Sequence, residues 1–410
     1  MADIKAKAKR TKKSNAEKRP LPPKKAGKGN GCALYKKCGG CQLQNMSYEE
    51  QLSFKQVKAI KNLGRFGHVD EIIGMENPVH YRNKVQAAFG YRNGRIISGV
   101  YQSSSHNIIP VDECLLEDKL ADSTIVTVRK MLPKYKLTSY NEDTGRGFLR
   151  HVLVKRSFHT GQTMVVLVSG RPLFPKKDEF VKELISKHSE ITTVIHNINA
   201  AKTSLVLGEK ETVLYGNGYI EDILCGKTFR ISAKSFYQIN PTQTEVLYNT
   251  AVDFAALTGK ERVLDAYCGT GTIGIVASDK AKEVIGVELN EQAVRDAKVN
   301  ARLNGTENIR FFAADAGKFM VEAAKANEKF DLVFMDPPRA GSDLNFLRSV
   351  VTLSPERIVY VSCNVETQAR DLTYLCKNGY RVKKIQPVDM FPHTNHVESV
   401  VLLCKGKQNK

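Results

Sequence analysis

Residues 263–275 read VLDAYCGTGTIGI. Val263 to Ala266 is a β-like run that carries one acid, Asp265, and Gly269, Thr270 and Gly271 form a turn into an apolar helical segment. Glycines at that position let the backbone turn tightly and approach a ligand. Downstream the pattern repeats: EVIGVEL, IRFFAAD, FDLVFMDPP and RIVYVSC are strand-like and are separated by segments of helical spacing. YRVKKIQPVDM and VESVVLLCK close the series, and PTQTEVLYNTAVDFAAL supplies a helix ahead of it. Strands alternating with helices specify an α/β fold with a doubly wound, mostly parallel sheet. In such sheets ligands bind at the C-terminal ends of the strands.

Upstream the style changes. KVQAAFGYRNGRIISGVY predicts a hairpin turning at Asn93-Gly94, and LRHVLVKRSFHTGQTMVVLVSG predicts another turning at Thr160-Gly161. TVIHNINA and SLVLGEKETVLYG continue as strands, and DECLLEDKLADSTIVTVRKML and FPKKDEFVKELISKHSE read as helices. An α+β region with an antiparallel sheet is expected. Ser47 and Glu50 form a capping-box pattern ahead of Leu52, Val57 and Ile60, so a helix is expected to about Leu63. The chain divides into a basic tail (1–30), a cysteine segment with its helix (31–75), a central α+β domain (76–220) and the α/β domain (221–410).

The net charge of +19 is unevenly placed. Residues 1–30 carry eleven Lys/Arg against two Asp/Glu and almost nothing to bury, so this tail is expected to be disordered. A basic tail on a basic body points to a polyanion, and nucleic acid is the partner expected. No apolar run long enough to span a membrane occurs, and MADIKAKAKRTKK lacks the apolar core of a secretion signal. A cytoplasmic monomer that binds no membrane is expected. Nine cysteines, an odd number in a long chain, point to metal or catalysis and not to a disulfide framework.

Three acids stand near successive strand ends: Asp265, Glu288 and Asp315. Glu288 follows Gly271 by seventeen residues, where an acid binds ribose hydroxyls. DAYCGTGT lacks the three-glycine dinucleotide fingerprint, and Asp265 would repel a phosphate. S-adenosylmethionine (SAM), which has none, fits better than NAD.

MDPPRAG (335–341) places Arg339 where amino-group methylases carry a base-stacking aromatic. Cys363 ends the next strand, in RIVYVSCN. A thiolate that adds to C6 of uracil turns the poorly nucleophilic C5 into an enolate carbon able to take a methyl group. A base must then remove the C5 proton, and Glu398 in FPHTNHVESVV is the candidate. Cys363 needs a lowered pKa or a nearby proton acceptor. Cys268, inside the glycine turn, is the rival thiol, but it would face the cofactor rather than the base.

DAYCGTGTIG, MDPPRAG, VSCN and FPHTNHVE, in that order, with SFYQIN at 235–240, resemble the RNA uracil-5-methyltransferase family over nearly all of residues 31–410. The resemblance implies a Rossmann-like SAM methyltransferase domain. It implies that Gln238, Tyr267, Glu288 and Asp336 contact SAM, that Cys363 is the nucleophile and that Glu398 is the base. Val365 stands where the family's motif often has proline. The expected reaction makes 5-methyluridine in structured RNA, with 23S rRNA first and tRNA as the alternative. An RNA cytosine-5-methyltransferase, a non-catalytic RNA-binding factor and a redox sensor fit the motifs less well.

Cys32, Cys38 and Cys41, with the distant Cys114, offer four thiolates, which suit zinc or a [4Fe–4S] cluster. Three clustered cysteines and a remote fourth favour iron–sulfur, and CALYKKCGGCQLQ resembles the cluster segment of the family's ribosomal-RNA branch. Arg82, Lys84, Arg146, Arg150, Lys155 and Arg156 are candidates to line the RNA path.

Overall fold

In the computed structural model of the chain, residues 31–102 and 105–406 are described; the tail read from residues 1–30 lies outside them. A single turn, α1 (Tyr35–Cys38), precedes α2 (Tyr48–Leu63). The Ser47 hydroxyl accepts from Glu50 N, and the Glu50 carboxylate accepts from Ser47 N, so the capping box forms. The buried stripe of α2 is not the one expected. Gln51, Lys55, Ala59 and Leu63 face inward, while Val57 and Ile60 are exposed. The inward face is polar because it meets polar partners from a loop near the C-terminus.

A seven-stranded sheet comes next. It contains β1 (Lys84–Arg92), β2 (Arg95–Tyr101), β3 (Ile108–Pro110), β4 (Leu149–Arg156), β5 (Thr163–Ser169), β6 (Ile191–Ile198) and β7 (Lys210–Tyr215), in the order β3-β2-β1-β4-β5-β6-β7. Helices α3 (Lys119–Met131) and α4 (Lys177–Lys187) bury Ile125, Val128, Phe180 and Leu184 in one core with β1, β4 and β5. Asn93 and Gly94 both have positive φ, so the β1–β2 turn is the tight one expected of this pair. The sheet is mixed and not purely antiparallel as expected: β5 and β6 run parallel. The helix α4 between them carries the chain back across the sheet, which a parallel pair requires.

An unforeseen hairpin follows, β8 (Tyr219–Leu224) and β9 (Lys227–Ser232), turning at Cys225-Gly226, both at positive φ. Its Ile220, Leu224, Phe229 and Ile231 share a core with Leu247 and Ala251 of α5 (Pro241–Ala255).

The second large sheet holds β10 (Arg262–Ala266), β11 (Glu283–Glu288), β12 (Ile309–Ala313), β13 (Leu332–Met335), β14 (Arg357–Ser362), β15 (Tyr380–Val388) and β16 (Glu398–Lys405). Their order is β12-β11-β10-β13-β14-β16-β15. The pairs from β12 to β14 are parallel, and β16 is antiparallel to both neighbours. Alternate residues of each strand serve separate cores: Val263 and Val284 point to one, Leu264 and Ile285 to the other. Helices α6 (Thr272–Ser278) and α7 (Glu291–Leu303) cover the first core with α5. Helices α8 (Ala316–Lys325), α9 (Leu344–Leu353) and α10 (Val365–Lys377) cover the second with α2. The strand order reverses between β10 and β13, which opens a crevice at their C-terminal ends. Among the described residues no helix is long and apolar enough to cross a membrane.

Candidate active site

The glycine turn after β10 borders that crevice. Gly269 and Gly271 have φ of 55° and 82°, and Tyr267, at 65°, is a non-glycine residue held in the left-handed region. A Cβ on Gly269 would meet nothing within 4 Å, so the turn has an open side. Glu288 braces the turn, one oxygen accepting from Gly269 N at 3.2 Å and the other from Asn290 N at 2.8 Å. The Tyr267 ring packs on Phe346 with centroids 4.7 Å apart. Asp265 lies beneath the turn: it is 1 % exposed, and its carboxylate accepts from Gly274 N at 2.9 Å. Burial, with Asp336 and Glu288 nearby, pushes it up to about 8. Asp315 caps α8 by accepting from Lys318 N, so one of its oxygens is committed locally. Acids thus crowd these strand ends. Such a field suits a cationic sulfonium and repels a phosphate, so the residues present fit SAM.

Asp336, Cys363 and Glu398 meet one strand over. Asp336 follows β13, Cys363 follows β14 and Glu398 begins β16. The β14–β16 ladder ends at Ser362 opposite Ser399, so the next step sets Cys363 across from Glu398. Residues directly opposite in an antiparallel pair carry their side chains to the same face. Glu398 is 4 % exposed, and burial together with the Asp336 charge pushes it up to about 8. Burial likewise pushes Asp336 up to about 7. The Cys363 thiol is pushed up to about 11 by burial, then by the charges of Glu398 and Asp336, with Arg339 opposing them. The expectation of a lowered pKa fails here; a nearby acceptor is what the site offers. Arg339 is tied down on both ends. Its guanidinium donates to His396 at 2.9 Å, and its carbonyl accepts from Asn364 Nδ2 at 3.3 Å. Cys268, the rival thiol, is 5 % exposed and packs in a hydrophobic core.

Two features escaped the sequence reading. Thr272 donates to the buried Tyr248 hydroxyl at 3.3 Å, so α5 braces the start of α6 just after the glycine turn. Lys55 and Asp389, both fully buried, pair at 2.5 Å. Lys55 also donates to Phe391 O, Tyr48 donates to the other Asp389 oxygen, and Gln51 accepts from His393 N. This network fastens α2 to the loop that leads into Glu398. Nothing local in the sequence ties Lys55 to a residue 334 positions away.

The sequence profile of the family described as tRNA (Uracil-5-)-methyltransferase matches residues 47–406. The chain belongs to this family. Membership makes it a SAM-dependent RNA uracil-5-methyltransferase. It is 45 % identical over 376 residues to an uncharacterized RNA methyltransferase of Listeria monocytogenes, covering 91 % of this chain and 83 % of the relative. A second uncharacterized RNA methyltransferase, from Clostridium acetobutylicum, is 45 % identical over 382 residues, covering 91 % and 82 %. The fold is similar to that of the Pyrococcus abyssi tRNA (uracil-54, C5)-methyltransferase, solved in complex with S-adenosyl-L-homocysteine. The TM-score is 0.74 and the identity 28 %, with 89 % of this chain and 85 % of that chain covered.

Within this uracil-5-methyltransferase, three cations proposed for the RNA path prove internal. Arg150 donates to Glu142 and to the carbonyls of Asn199, Ala201 and Thr203. Lys155 donates to the carbonyls of Ser232 and Ser235, and Arg156 pairs with Asp118 at 3.1 Å. Arg82 and Lys84 are half-buried, and Arg146 is exposed. Cys32, Cys38, Cys41 and Cys114 are each half-buried. Cys41 and Cys114 pack on one small core of Met75, Tyr81 and Leu116. The Cys41 thiol is pushed up to about 11 by burial, with Cys38 and Cys32 adding to the rise. The four therefore share a neighbourhood. Among the described residues, however, no three potential ligands stand close enough to hold one metal ion.

Proposed function

We propose that the protein methylates C5 of a uridine in 23S rRNA through a covalent adduct between Cys363 and uracil C6. The observation that supports this reading is that Cys363 and Glu398 flank the Ser362–Ser399 pair that ends the β14–β16 ladder, near enough for the Glu398 charge to raise the thiol. SAM supplies an electrophilic methyl group. Gln238, Tyr267, Glu288 and Asp336 would hold it, and Asp336 would also hydrogen-bond the target base. Cys363 Sγ bonds to C6 as its proton passes to a neighbouring carboxylate. The electron pair displaced from the C5–C6 double bond makes C5 the nucleophile that takes the methyl group. Glu398 then removes the C5 proton, the Sγ–C6 bond breaks, and the ring double bond returns. Glu398 suits this step because burial raises its basicity toward neutral pH. The target must leave its stack to reach the crevice.

Cys32, Cys38, Cys41 and Cys114 hold a [4Fe–4S] cluster in this reading, with zinc as the alternative. Support comes from the spacing of three clustered cysteines with a remote fourth and from the segment's likeness to the ribosomal-RNA branch. Bound there, the cluster would hold the segment folded. tRNA is the second target, favoured by the similarity to the Pyrococcus abyssi enzyme. Incubation with labelled SAM and unmodified 23S rRNA or tRNA transcripts, followed by mass-spectrometric mapping of 5-methyluridine, decides between them. Label in rRNA alone supports the proposal, and label in tRNA alone replaces the target.

A further inference from the structure

A groove of about 1490 Å³ opens on the central sheet, and the catalytic steps do not use it. Its walls come from Phe89–Arg92 of β1, Ile97 and Tyr101 of β2, strand β3, the segments around Tyr140 and Lys202, and Leu34 and Lys37 of the cysteine segment. Asn83, just before β1, donates to Gln238 O at 3.1 Å and so marks the catalytic end of that strand. Tyr91 lies eight residues further on, roughly 25 Å away at strand rise. None of Gln238, Tyr267, Asp336, Cys363 and Glu398 lines the groove, so it is separate from the crevice that takes the methylated base.

Its chemistry is that of a stacking platform with cations. Tyr91 is 70 % exposed and Tyr101 37 %, and both line it. Tyr101 meets His151 edge-on with centroids 6.2 Å apart, and the Arg150 guanidinium lies 5.6 Å from the Tyr140 centroid. Lys37, Arg92 and Lys202 add positive charge against Asp143, and the Glu142 carboxylate on the wall is paired with Arg150 at 3.0 Å. His151 supplies a second, independent sign of a ligand. It is 4 % exposed, and its Nδ1 has no hydrogen-bond partner among the described residues. Burial and the adjacent Arg150 hold His151 down to about 4, so the ring is neutral at physiological pH. A neutral imidazole with an unpartnered nitrogen can bond the edge of a base, and aromatic rings flanked by cations bind unstacked nucleotides.

We propose that this groove seats an unstacked base of the RNA substrate, separate from the uridine that is methylated. The inference rests on the reading of the substrate as RNA. The cysteine segment forms one wall, so an ordered segment completes the site.

The test uses the full chain with 23S rRNA and tRNA transcripts, and compares wild type with Tyr91→Ala, Tyr101→Ala and Tyr101→Phe. Tyr91 is mostly exposed, so its removal leaves the core intact, and melting curves check the folding of all three. Each Tyr→Ala change should raise the Kd for the substrate transcript by about 5- to 150-fold, with Tyr101→Phe near wild type. Methyl transfer at saturating RNA should be unchanged. Ultraviolet cross-linking of wild type should join RNA to the peptides that carry Tyr91 and Tyr101. Unaltered affinity in both alanine variants, or methylation without that cross-link, overturns the groove alone. A cross-link without any methylation overturns the catalytic reading and leaves the groove standing.

Discussion

Cys363 and Glu398 flank the Ser362–Ser399 pair that ends the β14–β16 ladder, and the Glu398 charge reaches the thiol. Because β16 runs antiparallel to β14, the start of one strand meets the end of the other. A thiol and a carboxyl far apart in sequence come to one face of one sheet edge. Asp336 joins them from β13.

Glu398→Gln tests the division of labour between the two. Loss of a general base costs about 10²–10⁴-fold in rate. The amide cannot take the C5 proton, so methylated RNA should stay bound to Cys363 and appear as a denaturation-resistant complex. A fall in rate without that complex removes Glu398 from proton abstraction.

The thiol's pH response has a definite sign. Negative charge on Glu398 and Asp336 helps raise Cys363 to about 11. Glu398→Gln removes one of those charges, so alkylation of Cys363 by iodoacetamide should begin at lower pH than in wild type. Arg339→Ala removes the opposing cation and should move it higher. Turnover should level off at a lower pH than simple thiolate control would give. Glu398, raised to about 8, must be ionised to act, so kcat/KM should rise about tenfold per pH unit below that value and level above it.

Lys55→Ala tests the fastening of α2 to the catalytic loop. It leaves Asp389 buried without its cation, which typically costs about 3–5 kcal/mol. Thermal unfolding should show the loss. Lys55→Ala combined with Asp389→Asn should recover part of it, because the uncompensated charge is gone. Equal destabilisation in both variants contradicts the role given to the pair.

The cysteine segment is tested by composition. Protein purified without oxygen should contain iron and acid-labile sulfide in equal amounts, and Cys41→Ser should lower both. Zinc without sulfide replaces the cluster by the alternative metal.

Much of this architecture is legible in the sequence because it is local. The Ser47–Glu50 cap, the Asn93-Gly94 turn and the strand-to-helix alternation after Val263 each depend on neighbouring residues. The order of the motifs also places Asp336, Cys363 and Glu398 at strand ends before any coordinates are known. What the sequence hides is long-range pairing. The parallel β5–β6 pair depends on how α4 packs, and the polar inner face of α2 depends on Asp389. Arg150 and Lys155 look like surface cations because nothing nearby in sequence reveals the carbonyls that cap them. Asp265 reads as a ligand-facing acid, yet its oxygen is turned under the glycine loop toward Gly274.

The most direct measurement is a covalent trap. RNA carrying 5-fluorouridine at the target presents no C5 proton for Glu398 to remove, so the adduct stalls after methyl transfer. Wild-type protein with SAM should give a protein–RNA band that survives denaturing electrophoresis, and Cys363→Ala should give none. Methylation of ordinary RNA by Cys363→Ala, or an active wild type that forms no such band, would contradict covalent catalysis by Cys363.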